Sequence, residues 1–346
     1  MVSRCRARRH GAIAGLAGVL VLLVAACGSS NAPTKTGAGG RPDVTIGIPR
    51  DGNVSAQIIL ADSLGYFSAE GVNVKVQTFP SAGELVSAVA GHSISIGAGG
   101  TTPVTTLKGG GYPVAVLSQL ADISGAQQVV ARPEITTPAD LKGQKMGALF
   151  GTVSELLANK FLAQNGLSKS DVTLVNLGSS DMITTLSRGD IKAAALWEPN
   201  ATTSVDQGNH RMASGTKQYL PTNTPARIVG DHAVLFADEQ WANDNKGAIE
   251  PILRSLRKAS SYIMTNKADA MQKIGDTLKI DPAAMKNTFA VNDYTLQVDQ
   301  ALVDDMQAEA DFLHTTNKIR QTVSAKQFVR PSDLRAVDPS LVTWTP

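Results

Sequence analysis

The chain has 346 residues, with 32 Lys and Arg against 30 Asp and Glu for a formal net charge of +2, and two cysteines, Cys5 and Cys27. No basic block lies beyond the first few residues, which argues against a nucleic-acid partner. So few cysteines leave no disulfide framework, cysteine metal site or thiol nucleophile. The five histidines (His10, His92, His210, His232 and His314) show no metal-ligand spacing, so neither a metal nor a cofactor is expected.

The first element is an export signal. Arg4, Arg6, Arg8 and Arg9 precede an apolar run over residues 12–26 that is short for a membrane span. The run ends in Val24-Ala25-Ala26-Cys27, followed by Gly28-Ser29-Ser30. Small residues before a cysteine read as a lipoprotein signal peptide over residues 1–26, with lipidation at Cys27. An ordinary cleavage site and an uncleaved anchor are the alternatives. Residues 27–43 read as a flexible tether, rich in Gly, Ser, Thr and Pro. Cleavage would remove four arginines and leave 28 basic against 30 acidic residues, a net −2. The expected location is the extracytoplasmic face of the cell membrane, held by the lipid anchor.

After the tether, short apolar runs alternate with helix-length periodic segments. Residues 44–48 read as a buried strand and 72–79 as a second. Ser81-Ala82-Gly83-Glu84 is a capping box, with Leu85, Val86 and Val89 as the buried stripe behind it. Residues 94–98 and 114–120 are a third and fourth strand, a rhythm that argues for a parallel α/β sheet. The pattern then repeats. Thr137 caps a turn with Pro138 at its first position, residues 145–150 form a strand, and Thr152-Val153-Ser154-Glu155 opens a helix. Residues 172–177 and 191–197 are further strands. Segments 76–96 and 175–194 look alike, so two lobes of similar design are expected. Residues 232–236 make one more strand, followed by long amphipathic helices over 239–278, then 283–288 and 298–313. The end, residues 328–346, is rich in Pro and Asp and reads as surface wrapping.

Several stretches resemble a known family. Leu64-Gly65-Tyr66-Phe67-Ser68-Ala69-Glu70-Gly71-Val72, Phe79-Pro80-Ser81-Ala82-Gly83-Glu84-Leu85, Asp140-Leu141-Lys142-Gly143 and Leu196-Trp197-Glu198-Pro199 stand in order. Together they resemble the solute-binding lipoproteins of ABC importers for nitrate, taurine, aliphatic sulfonates and thiamine-precursor-like compounds. The resemblance implies a bilobal periplasmic-binding-protein fold, two parallel-sheet lobes joined by two crossovers with a ligand cleft between them. Lobe 1 would be residues 44–128 plus 233–346 and lobe 2 residues 129–232. It also implies a monomer without enzymatic activity, with ABC permease and ATPase subunits as partners. The resemblance extends to pyrimidine synthases that hold iron through a cysteine-rich loop, and this chain lacks those cysteines. Ser95 stands where the family usually has aspartate.

Parallel sheets bind ligands at strand carboxyl ends, where helix N-termini offer free N–H groups to an anion. The loops so placed are Asp51-Gly52-Asn53, Pro80-Ser81-Ala82-Gly83, Gly99-Gly100-Thr101-Thr102, Gly151-Thr152-Val153-Ser154 and Gly178-Ser179-Ser180-Asp181. Candidate ligand contacts are Asn53, Ser81, Gly83, Thr101, Thr102, Thr152, Ser154, Ser180, Trp197 and Glu198. Ser81 and Thr152 read equally as helix caps, Thr101 and Thr102 as a helix start, Trp197 as core and Glu198 as a hinge pin. Glu155 is an acid that either caps its own helix or faces the cleft. None of these loops holds a lysine or arginine, so recognition by hydrogen bonding is expected. The expected solute is a small organic sulfonate such as taurine, or a related small anion. The competing readings are a heterocyclic-precursor binder and a surface receptor without a transporter.

Overall fold

The computed structural model describes residues 40–346. The signal peptide, Cys27 and all but the last residues of the tether lie outside the described residues.

The chain opens with β1 (Asp43–Pro49), α1 (Gly52–Ser63), α2 (Tyr66–Ala69), β2 (Asn73–Phe79), α3 (Ala82–Ala90), β3 (Ile96–Gly100), α4 (Thr101–Gly109) and β4 (Val114–Asp122). It then crosses into β5 (Gln127–Ala131), β6 (Lys145–Ala148), α5 (Val153–Gln164), β7 (Thr173–Asn176), α6 (Ser179–Arg188), β8 (Ala193–Trp197), α7 (Asn200–Asp206) and β9 (His210–Ser214). Two short strands follow, β10 (Lys217–Gln218) and β11 (Thr224–Pro225), before β12 (His232–Asp238) returns to the first lobe. The remainder is helical: α8 (Glu239–Asp244), α9 (Lys246–Thr265), α10 (Lys267–Leu278), α11 (Pro282–Val291), α12 (Gln300–Thr315) and α13 (Pro331–Val337).

Both sheets use one design. The first has strand order β2-β1-β3-β12-β4 and the second β11-β10-β9-β5-β8-β6-β7. Read from opposite edges, β2-β1-β3-β12-β4 matches β7-β6-β8-β5-β9 position for position. Within each lobe the helix-connected strands are parallel: β1 with β2 and β3, and β6 with β7 and β8.

The expectation of wholly parallel sheets is corrected: both are mixed. β12 runs antiparallel to β3 and β4, and β5 antiparallel to β8 and β9. The reason lies in the crossings. β1, β3, β6 and β8 all point their carboxyl ends at the cleft. A strand arriving from the other lobe starts at the cleft and runs away from it, and its short connection cannot supply the long crossover that a parallel neighbour needs.

Strand alternation partitions the second lobe's core. Val129, Ala131, Ala193 and Ala195 face a cluster built around Phe161 and Leu157 of α5. Val130, Ala194 and Leu196 face the other side, against Met182 and Leu186 of α6. In the first lobe α1 is buried from Gly52 through Ala61, because helices cover it as well as the sheet. There Gly47 and Gly97 let α3 and the neighbouring strand approach. A Cβ on Gly47 would lie 2.4 Å from the Leu85 side chain, and one on Gly97 would lie 3.0 Å from the Gly47 carbonyl.

The C-terminal region does more than wrap. Val329 bridges to Val116 in β4, Val342 bridges to Val298, and the Trp344 side chain is 2% exposed within the first core. Residues 239–278 form three helices, with Asn245 and Asn266 at the breaks.

Candidate functional site

A cavity of about 520 Å³ lies between the two sheets. Its wall is made where strands end and helices begin: Asp51 and Asn53 at α1, Ser81 and Ala82 at α3, Gly100 and Thr102 at α4, Thr152 and Val153 at α5, and Ser179 at α6. All five loops named above therefore reach it. Helices that start at this wall turn the positive ends of their dipoles toward the cavity. Trp197 ends β8 and Asn200 opens α7, while Ile123, Gln127 and Asp231 come from the two crossings between lobes.

The ten candidates separate by position. Asn53, Ser81, Thr102, Thr152 and Trp197 line the cavity. Ser81 also caps α3, accepting from the Glu84 N–H at 3.2 Å. Thr152 caps α5, accepting from the Ser154 N–H at 3.2 Å, and donates to the Leu149 carbonyl at 2.7 Å.

The other five stand off the wall. Gly83 and Ser180 are exposed one position past the residues that face inward. Ser154 is fully buried and ties β6 to β8, donating to the Ala195 carbonyl at 2.7 Å and accepting from the Leu149 N–H at 3.0 Å. Glu198 is 1% exposed and turned away from the cavity, with Oε1 accepting from Arg211 at 2.9 Å and Oε2 from the Thr202 N–H at 3.1 Å. Thr101 is buried behind the wall, between Glu309 and Asp231. Glu155 accepts from the Gly151 N–H at 2.8 Å and so caps its own loop.

Charge in the cleft differs from expectation. The five loops hold no lysine or arginine, but Arg50, immediately before the first of them, lines the cavity; its Nε donates to the Leu278 carbonyl at 2.7 Å. Two acids share the wall, Asp51 and Asp231. Burial pushes Asp51 above the usual carboxylate range, against the opposing hydrogen bonds from the Asn53 backbone and side chain. Burial also pushes Asp231 up, to about 7, opposed by His232 and by the Thr101 hydroxyl. Arg50, Gln127, Ser179 and Asp231 were absent from the sequence candidates. Gln127 and Asp231 had one available signal: Gln127 opens and Asp231 immediately precedes a strand that crosses between lobes, and such strands begin at the cleft.

Two α/β lobes of one design, facing each other across a polar cleft built from strand carboxyl ends, define a bilobal α/β fold. The chain belongs to the family described as NMT1/THI5 like, which matches residues 53–270. A binding protein of Brucella abortus (strain 2308) is 20% identical over 279 residues, 78% of this chain and 84% of that one. The taurine-binding periplasmic protein of Escherichia coli (strain K12) is 26% identical over 144 residues, 42% of this chain and 45% of that one. In fold, the chain is similar to the periplasmic aliphatic sulphonate binding protein from Escherichia coli, with a TM-score of 0.73 at 20% identity, covering 84% of this chain and 92% of that one.

Proposed function

We propose that this protein captures a small solute for an ABC importer, closing its lobes over an organic sulfonate or related small anion and delivering it to permease and ATPase subunits. The observation that carries this reading is the convergence of five helix N-termini, at Asp51–Asn53, Ser81–Ala82, Gly100–Thr102, Thr152–Val153 and Ser179, on one cavity. Such a wall solvates an oxyanion by hydrogen bonds and needs no full counter-charge. A volume of about 520 Å³ exceeds what nitrate fills and suits a small organic molecule. Asp51 and Asp231 on the same wall favour a solute that also carries a hydrogen-bond donor, as taurine does. The taurine- and sulphonate-binding names among the relatives support the same class.

A thermal-shift panel of nitrate, taurine, alkanesulfonates and pyrimidine precursors on the signal-free protein tests this. Micromolar binding with solute at about a hundredfold excess stabilises by about 2.7 kcal/mol, a visible rise in midpoint. Shifts confined to sulfonates bear the reading out. Shifts confined to pyrimidines assign the cleft to heterocycles, with Trp197 as the flat wall. The sequence motif at Cys27 supports a diacyl anchor, which holds where a single chain would not. Membrane fractionation of a Cys27→Ala variant reads that directly: release from the membrane is expected.

A further inference from the structure

Behind the cleft wall one hydroxyl is held between two carboxyls. Thr101 Oγ1 lies 2.8 Å from Glu309 Oε1 and 3.3 Å from Asp231 Oδ1. A threonine hydroxyl has one hydrogen to donate. It can serve one of those oxygens; at the other, lone pairs would face each other unless the carboxyl supplies the hydrogen. The geometry therefore requires a proton on one of the two acids.

The surroundings say which. Glu309, on α12, is 1% exposed, and the charged groups acting on it, Asp231 and Asp305, are both acids. Burial first, then the charge of Asp231, drives its carboxyl well above the usual range. The Thr101 and Thr102 hydroxyls act on Glu309 in the opposite sense but are outweighed by burial and by Asp231, whereas Asp231 receives the Gln127 Nε2 donor at 2.8 Å from Oδ2, which favours its ionised form, and alone of the pair lines the cavity. Its other charged neighbours are His232, Asp122 and Asp51. His232 Nε2 lies 2.9 Å from Asp305 Oδ2, and Arg227 pairs with both Asp305 and Asp122. Arg50 stands on the cavity wall. Arg227 is thus engaged by other acids and Arg50 by the Leu278 carbonyl, and no cation is among the charged groups that act on Glu309.

We propose that Glu309, Thr101 and Asp231 form a one-proton relay: neutral Glu309 donates to Thr101, Thr101 donates to ionised Asp231, and Asp231 selects solutes that carry an ammonium or other cationic group. The selection rests on reading the cleft as the solute site. Glu309 acts only through Thr101 and is a positioning residue; Asp231 is the group that meets the solute. As pH falls, Asp231 takes up a proton of its own and the selection fades.

Taurine and 2-hydroxyethanesulfonate differ in an ammonium against a hydroxyl and are the matched probes. By titration calorimetry at about pH 8, taurine is expected to bind about tenfold or more tightly than its hydroxyl counterpart, the worth of one charge-assisted hydrogen bond. The ratio should shrink toward pH 6 and vanish in Asp231→Asn. Equal affinities at the higher pH, or a preference that survives Asp231→Asn, overturn the selection. Carboxyl-carbon NMR of the ligand-free wild type reads the proton without any solute. A side-chain carboxyl that stays neutral at pH 7 and disappears in Glu309→Gln supports the relay, and two ionised acids at pH 7 overturn it. If neither probe binds, the sulfonate reading of the cleft and the selection fall together, while the NMR titration still decides the shared proton.

Discussion

Asn53 donates from its side-chain amide to the backbone carbonyl of Glu198 at 3.1 Å, joining positions 145 residues apart and one lobe to the other. The same amide donates to Asp51 Oδ1 at 2.8 Å, and its oxygen accepts from Asn292 Nδ2 at 2.8 Å. Both amide hydrogens and the oxygen are thus used in a buried position, where each unmet group would carry a desolvation cost. The residue that the sequence offered as a ligand contact is also a clasp across the cleft.

Replacing Asn53 with alanine should therefore cost about 1–3 kcal/mol of unfolding free energy, the sum expected from several net hydrogen bonds of modest worth. Urea unfolding measures it. Small-angle scattering of the same variant should show a wider lobe separation than wild type. A variant with unchanged stability and unchanged scattering would mean that the Asn53–Glu198 contact holds nothing together.

Glu198 gives a contrasting expectation. Its carboxylate is buried and bound to Arg211, whose side chain is 29% exposed, and to the Thr202 N–H. Glu198→Ala leaves Arg211 with the Thr202 hydroxyl but no carboxylate partner and should lower stability by about 2 kcal/mol, in the range for hydrogen bonds to charged groups. Taurine affinity should change far less, because the carboxylate faces away from the cavity. A large loss of affinity with stability intact would instead place Glu198 in ligand contact.

What the sequence disclosed follows physical range. Local signals were legible: Ser81 and Thr152 cap helices as their spacing predicts, and the repeated strand–loop–helix unit appears in both lobes. β9 to β11 escaped notice because His210–Ser214 is polar and the two that follow are two residues each. Strand direction was misjudged because apolar alternation does not encode it; the route of the chain between lobes does. Glu309 left one readable sign. It stands in line with Leu302, Met306 and Leu313 on the buried face of α12, an acid within an apolar stripe. Its partners Thr101 and Asp231 are 208 and 78 residues away, beyond any local pattern.

The crossing between lobes also depends on backbone contact. A Cβ on Gly215 would lie 2.3 Å from the Ser124 carbonyl oxygen and 2.9 Å from that of Val229, both main-chain atoms of the crossings. Gly215→Ala should destabilise by about 1–3 kcal/mol, as overpacking does. Gly247, exposed at the start of α9 with open space around its Cβ position, is the control. Gly247→Ala should be neutral or stabilise by up to about 1 kcal/mol, through helix propensity. Thermal midpoints that move in the same direction for both variants would contradict the steric account.

Stability should pass through a maximum in mildly acidic solution. Asp51, Asp231 and Glu309 are raised chiefly by burial, so the folded protein holds protons that the unfolded chain releases. Their contribution is complete below the unfolded carboxylate pKa and is lost as pH rises through the folded values, about 7 for Asp231. Glu70, lowered by hydrogen bonds from Lys258 and Arg254, and Asp140, lowered by the Thr137 and Thr136 N–H groups, act in the opposite sense. Their contribution is present above the ordinary carboxylate range and is lost on acidification. Urea unfolding from pH 3 to 8 should give a dome that falls between about pH 5 and 8. Glu309→Gln should flatten the alkaline limb. A wild-type stability that rises steadily from pH 5 to 8 would contradict the assignment of raised pKa values to these acids.

Trp197 is positioned to report on the cleft as well as to line it. It ends β8, packs partly against the α6-side core of the second lobe, and faces the cavity beside Leu149 and Asn200. The chain has three tryptophans; Trp344 is buried in the first core, and Trp241 packs against the same core in α8. Solute entering the cavity should therefore change the emission of Trp197 and leave the other two nearly untouched. Trp197→Ala removes a large ring from the wall and should weaken taurine binding by about tenfold or more, with a stability loss of about 1–3 kcal/mol from the half-buried face. Trp197→Phe keeps a flat apolar surface, so it should recover most of the affinity while abolishing the fluorescence response. Affinity unchanged in Trp197→Ala, or a fluorescence response that persists in Trp197→Phe, would remove the ring from the solute's surroundings and assign it to packing alone.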